Sequence, residues 1–113
     1  MNRPEDEENW TETSTSAMFT FTVAQALNKG WLKDEDGTFA KLVKTGLQGV
    51  KDQVVANGEY TDVLEIVIGT GVGDKQWYYD RPRKTNDLHG LGAVLIMLEY
   101  VEHDKEFIIP KLE

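Results

Sequence analysis

The chain has 113 residues with 40% hydrophobic and 28% charged, and a formal net charge of −8. That length fits one small domain or a piece of a larger one. The acidic balance argues against nucleic acid as a partner, because phosphates are met mainly by Lys and Arg, and against anionic membrane surfaces. No cysteine is present, which excludes a disulfide framework and a cysteine-based zinc site and fits a cytoplasmic protein. Neither a signal-peptide pattern nor an apolar run of bilayer length is visible, although a signal could be lost with a missing part.

Residues 1–9 form a polar N-terminal segment carrying Glu5-Asp6-Glu7-Glu8, with Arg3-Pro4 barring a helix start. From Asn9 the chain becomes rich in capping residues. Thr13, Ser14 and Ser16 can each accept a bond from the free N–H groups that open a helix. The first helix is predicted from about Thr15 to Lys29. Its run of Met18, Phe19, Phe21, Val23, Ala24, Ala26 and Leu27 is interrupted only by Thr20, Thr22 and Gln25. A helix apolar on most sides is expected to be buried on most sides. Gly30 stops it, and Trp31-Leu32 folds back over its end.

Thr38 caps a second helix with apolar positions Phe39, Val43, Leu47, Val50 and Val54, and Asn57-Gly58 ends it. That one-sided stripe marks an outer helix lying on something larger. Tyr60 to Ile68 reads as one strand or extended segment. Gly69 to Asp74 is a glycine-rich turn, and Lys75-Gln76-Trp77-Tyr78-Tyr79 reads as an extended aromatic run. A phosphate cradle needs a helix directly after the glycines, so a tight loop is the preferred reading.

Asp80 to Thr85 is a basic loop. Asn86 or Asp87 then caps a third helix ending near His103. Gly90 and Gly92 in its first turns each cost about 1 kcal/mol against Ala, so close approach of a backbone or ligand is expected there. The tail Phe107-Ile108-Ile109-Pro110 has apolar residues that need cover. Buried helix, one-sided helix, extended excursion and buried helix together form the pattern of an α/α barrel.

Three spaced motifs carry a family resemblance. They are N-W-x-E-T-S-x-S-A-M-F from Asn9, G-T-G-x-G from Gly69, and R-P-x(3)-N-D-x-H-G-x-G-A from Arg81. In that order they resemble the C-terminal part of glycoside hydrolase families 105 and 88, the unsaturated rhamnogalacturonyl and unsaturated glucuronyl hydrolases. The resemblance runs from about Arg3 to Glu99. It implies an (α/α)6 barrel that binds an unsaturated uronyl oligosaccharide and hydrates the C4=C5 double bond of its uronic acid. It also implies an aspartate as general acid and base in the N-terminal half of the barrel, and no residue here matches it.

The expected fold class is therefore mainly α: a partial (α/α)6 barrel, its C-terminal helical hairpins, with a short extended β excursion. Residues 1–113 make a single domain or fragment, completed by the missing N-terminal part of the barrel or by homo-oligomer formation. The rival reading is a non-catalytic helical module for oligomerisation or carbohydrate binding.

The substrate-binding candidates are Trp10, Glu12, Tyr78, Arg81 and His89, and no catalytic residue is assigned. Glu12 either orients a sugar hydroxyl or a catalytic neighbour, or caps backbone N–H groups or pairs with Arg81. Arg81 and Arg83 either attract a uronate carboxylate or form structural salt bridges. Trp10, Trp77, Tyr78 and Tyr79 offer stacking surfaces or core packing. His89 beside Asp87 could donate to a carboxylate or hydroxyl, whereas His103 suits the dipole at a helix end. Nothing forms a nucleophile elbow, the two histidines are far apart for a metal, and no cofactor is expected.

Overall fold

The computed structural model describes residues 4–69 and 71–103. Helix α1 (Thr13–Asn28) is followed by α2 (Thr38–Lys51) and a hairpin of β1 (Val54–Asn57) and β2 (Tyr60–Val63). A short strand β3 (Ile66–Val67), helix α3 (Lys75–Tyr79) and strand β4 (Arg83–Lys84) come next. Helix α4 (Leu88–Leu98) ends the order and runs into a π turn, Glu99–His103. Among the described residues the structure is mainly helical, contains no closed barrel, and has no helix long and apolar enough to cross a membrane.

Helix α1 is the hub, packed against both α2 and α4. Its buried face carries small residues: Thr13, Ser14, Ala17, Thr20 and Ala24, with Leu27 at the end. Small side chains let neighbouring helices come close. At Gly46 the approach is so tight that a Cβ would stand 2.2 Å from Thr20 Oγ1. In α4 a Cβ on Gly90 would stand 2.5 Å from Ile66 Cγ2, so this glycine makes room for β3. Gly92 meets nothing within 4 Å. The expected approach of a backbone or ligand is thus corrected: the Ile66 side chain closes on Gly90, and nothing closes on Gly92.

Helices α1 and α4 run side by side in the same direction. At their starts both are tied to one segment: Thr13 N–H donates to Glu65 O at 3.0 Å and Asn86 N–H to Val63 O at 2.8 Å. At the far end Asn28 Nδ2 donates to Tyr100 Oη at 2.9 Å, and Phe21 meets Tyr100 edge-on at 5.2 Å. Val43 and Val50 of α2 join Ile66, Val94, Met97 and Val101 in the buried core.

Several expectations are corrected. Helix α1 is buried on one side only, with Met18 51% and Phe19 66% exposed. In α4, Leu95 and Ile96 are 66% and 57% exposed. The molecule is a slab of 39 × 37 × 22 Å, and 22 Å leaves room for about two helix layers. Neither apolar helix can be surrounded in such a slab. Helix α2 stops at Lys51, and Val54 pairs with Val63 in a hairpin closed by Gly58-Glu59. The β-branched pair Val54-Val55 suits a strand better than a helix end.

Tyr60 to Ile68 is not one strand. It is broken at Glu65, whose φ is 59°. Lys75 to Tyr79 is a short helix and not an extended run, because Asp74 accepts the Trp77 N–H at 2.9 Å and starts the turn. The chain does fold back after α1, where the N–H groups of Trp31 and Leu32 both donate to Ala26 O, but Trp31 is 73% exposed. The Phe107–Pro110 tail and the His103 side chain lie outside the described residues.

The α1–α2 crossing yields a test. Ala is the better helix former by about 1 kcal/mol, yet Gly46→Ala should lower unfolding free energy by about 1–3 kcal/mol through overpacking against Thr20. Adding Thr20→Ala should recover most of that loss in urea melts. A Gly46→Ala protein as stable as the parent would contradict the close crossing.

Candidate functional site

Strands β3 and β4 pair antiparallel, Ile66 with Lys84 and Val67 with Arg83. The resulting ribbon lies across the starts of α1 and α4. One of the bonds that hold it there comes from the side chain of Glu12, which caps α1. Its carboxylate accepts the Ser14 N–H at 3.2 Å, the Thr15 N–H at 2.6 Å and the Ser14 hydroxyl at 2.8 Å. It also accepts the Val67 N–H at 3.0 Å from β3. Burial pushes the Glu12 pKa up, but the bonds from Thr15, Val67 and Ser14 outweigh that and hold it below the ordinary glutamate value.

The capping residues therefore differ from expectation. The helix starts at Thr13, so Glu12 is the cap, and Thr13 lies inside the first turn. The Thr13 hydroxyl donates to Leu64 O at 2.7 Å and fastens the segment before β3 to the helix start. Ser16 turns its hydroxyl back to Glu12 O at 2.8 Å. Of the alternatives open for Glu12, the structure shows backbone capping; no Glu12–Arg81 pair forms. Arg81 instead donates to Gly69 O and lies 4.6 Å over the Trp77 ring.

The aromatic side chains fall into two groups. Trp10, half-buried, donates its indole N–H to Tyr79 O at 3.1 Å, and the Arg83 guanidinium lies 4.5 Å over its ring. Arg83 also pairs with Glu65, Nη1 to Oε2, at 2.5 Å. Tyr78 meets Trp77 edge-on at 4.9 Å. Tyr79 is buried and donates its hydroxyl to Asp6 at 3.0 Å.

Of the candidates, Trp10, Glu12 and Arg81 are joined through the ribbon and its loops, and Tyr78 reaches them through Trp77. His89 sits at the start of α4, exposed, with Nδ1 paired to Asp87. Asp87 is the α4 cap and accepts the His89 N–H at 3.4 Å. Among the described residues no hydrogen bond links His89 to the other four candidates. Glu65 is the residue that the sequence reading passed over. The one signal for it was an acidic residue interrupting a β-branched run, a type depleted in strands. No group of three metal-ligating side chains occurs among the described residues.

The ribbon-capped helix pair can now be placed among known proteins. Residues 1–103 match the family model Glycosyl Hydrolase Family 88. The chain belongs to that family. Its fold is similar to a crystal structure of a possible GH105 family member from Salmonella enterica serovar Paratyphi A, with TM-score 0.69 and 21% identity over 83% of this chain and 23% of that one. A possible GH105 member from Klebsiella pneumoniae gives TM-score 0.64 and 23% identity over 85% of this chain and 24% of the other. This chain thus spans about a quarter of the length of those structures. The expected fold class stands: mainly α, a partial (α/α)6 barrel with a short β excursion.

Glu12 gives a pH test whose sign follows from its depressed pKa. The cap's contribution is fully present above the unfolded glutamate pKa of about 4.3 and is lost as pH falls through the lower folded value. Glu12→Gln should cost about 0.5–2 kcal/mol near neutral pH. The stability gap between parent and variant should close on acidification. A gap that stays constant down to the lowest pH at which both fold would show that the carboxylate's charge is not what matters.

Proposed function

We propose that this chain forms one wall of the sugar cleft of an unsaturated uronyl hydrolase of rhamnogalacturonyl type. Such an enzyme releases unsaturated uronic acid from oligosaccharides by adding water across C4=C5. The hydrated product is unstable, opens, and frees the neighbouring sugar. Its setting would be the cytoplasmic breakdown of pectin-derived oligosaccharides. The observation that carries the reading is the common direction of α1 and α4, whose starts lie under one ribbon with Trp10, Arg81, Arg83 and His89 about them. Both helix starts are already capped by the carboxylates of Glu12 and Asp87, so the positive charge that favours an anionic sugar is that of the arginines. In this reading Trp10 and Tyr78 offer the sugar stacking surfaces.

The chain's own carboxylates do not supply the hydrating acid in this reading. Glu12 is held ionised by its donors, so it has no proton to give near neutral pH. Glu65 is paired with Arg83. The proton donor comes from another part of a complete barrel, whose helices, or those of a second copy, would also cover Met18, Phe19, Leu95 and Ile96. These exposed apolar side chains equally favour a second reading, a non-catalytic helical module that self-associates.

Incubating the chain with an unsaturated galacturonyl-rhamnose disaccharide separates the readings. Saturable binding with unchanged double-bond absorbance is the expected result. Steady loss of that absorbance would place the hydrating acid within these residues and contradict the division of labour. Absence of binding would favour the module that only self-associates.

A further inference from the structure

We propose that Arg83 is the group that reads the charge of the sugar, and that Glu65 occupies the sugar carboxylate's place until it arrives. The proposal rests on the sugar-site reading above and names the specificity-determining pair within it. Arg83 is held from two directions. Its backbone is in register with Val67 in the β3–β4 ribbon, and its guanidinium lies 4.5 Å over the Trp10 ring. Trp10 is itself fixed by its bond to Tyr79 O. The cation is therefore positioned before any ligand binds.

Its partner is easily displaced. The Arg83 and Glu65 side chains are 41% and 39% exposed, and ion pairs this wet contribute little to stability. A uronate carboxylate brings two oxygens to a planar fork suited to bidentate contact. Glu65 moreover has φ 59°, a region that side chains other than glycine, Asn and Asp rarely adopt. Such a conformation persists only where the surroundings impose it. Here the Thr13 N–H bond to Glu65 O at 3.0 Å and the ribbon on its other side do so. That backbone is set by the fold, and it sets the carboxylate beside Arg83.

Arg81, two residues away, is not equivalent. Its guanidinium is engaged with Gly69 O and the Trp77 face, inside the loop that it closes. In this account Arg81 shapes the loop and Arg83 meets the ligand. A neutral sugar has nothing with which to displace Glu65, whereas an acidic one does.

Calorimetry on the full chain with the unsaturated galacturonyl-rhamnose disaccharide and its methyl ester tests this, since the two ligands differ by one charge. The acid should bind about tenfold tighter than the ester. Arg83→Gln should bring the ratio to about one. Glu65→Gln should tighten acid binding about two- to threefold and leave the ester unchanged, because a competing internal carboxylate has gone. A merely structural pair would weaken both ligands instead. Glu65→Asn, better suited to the left-handed backbone, should match Glu65→Gln and guard against loss of fold. Equal binding of acid and ester to the parent, or unchanged or weaker acid binding in both Glu65 variants, overturns the proposal and leaves the sugar site standing. Failure of both ligands to bind overturns the site as well.

Discussion

The carboxylate of Glu12 is the contact on which the rest of this structure depends. Four donors converge on it: the N–H groups of Ser14, Thr15 and Val67 and the Ser14 hydroxyl. Three of these lie in the first turn of α1, and the fourth belongs to a strand more than fifty residues later. A cap that served only its own helix would be worth about 1 kcal/mol. This one also helps to set where β3 lies, beside the two Thr13 bonds to Glu65 O and Leu64 O. Through the Val67–Arg83 register it decides where Arg83 meets Trp10.

The same arrangement explains the small residues in α1. Close neighbours on both sides require Ala17, Thr20 and Ala24 inward, so Met18 and Phe19 face outward. In α4 Gly90 makes room for Ile66, while Leu95 and Ile96 face outward. These two outward faces match the family assignment and the short span relative to solved structures of the fold.

Much of this was legible in the sequence because local chemistry states it directly. The stop of α1 at Gly30 and the start of α4 at Asn86 or Asp87 followed from local chemistry, whereas the caps of α1 and α2 fell on Glu12 and Gly37 and not on Thr13, Ser14, Ser16 or Thr38; the motifs around Trp10, Gly69 and Arg81 pointed to the fold. What the sequence did not show was which neighbours exist. An apolar helix reads as buried whether or not anything covers its second side, so the exposure of Phe19 could not be read from its type. Val54 fell on the stripe of α2 by spacing alone, yet hairpin pairing with Val63 claimed it. The five residues of α3 are too short for any periodicity, and only Asp74 as a cap betrayed them. The pairing of Glu65 with Arg83 could not be read from the acidic residue alone, because it depends on a turn held by Thr13 and on a partner eighteen positions away.

The Glu12 carboxylate ties Val67 of the ribbon to the start of α1. Amide hydrogen exchange at Val67, compared between the parent and Glu12→Ala, tests it most directly. The account predicts that the Val67 amide loses its protection in the variant while the amides of α2 keep theirs. Unchanged protection at Val67 would contradict it, since the Val67 amide would then be held by something other than Glu12.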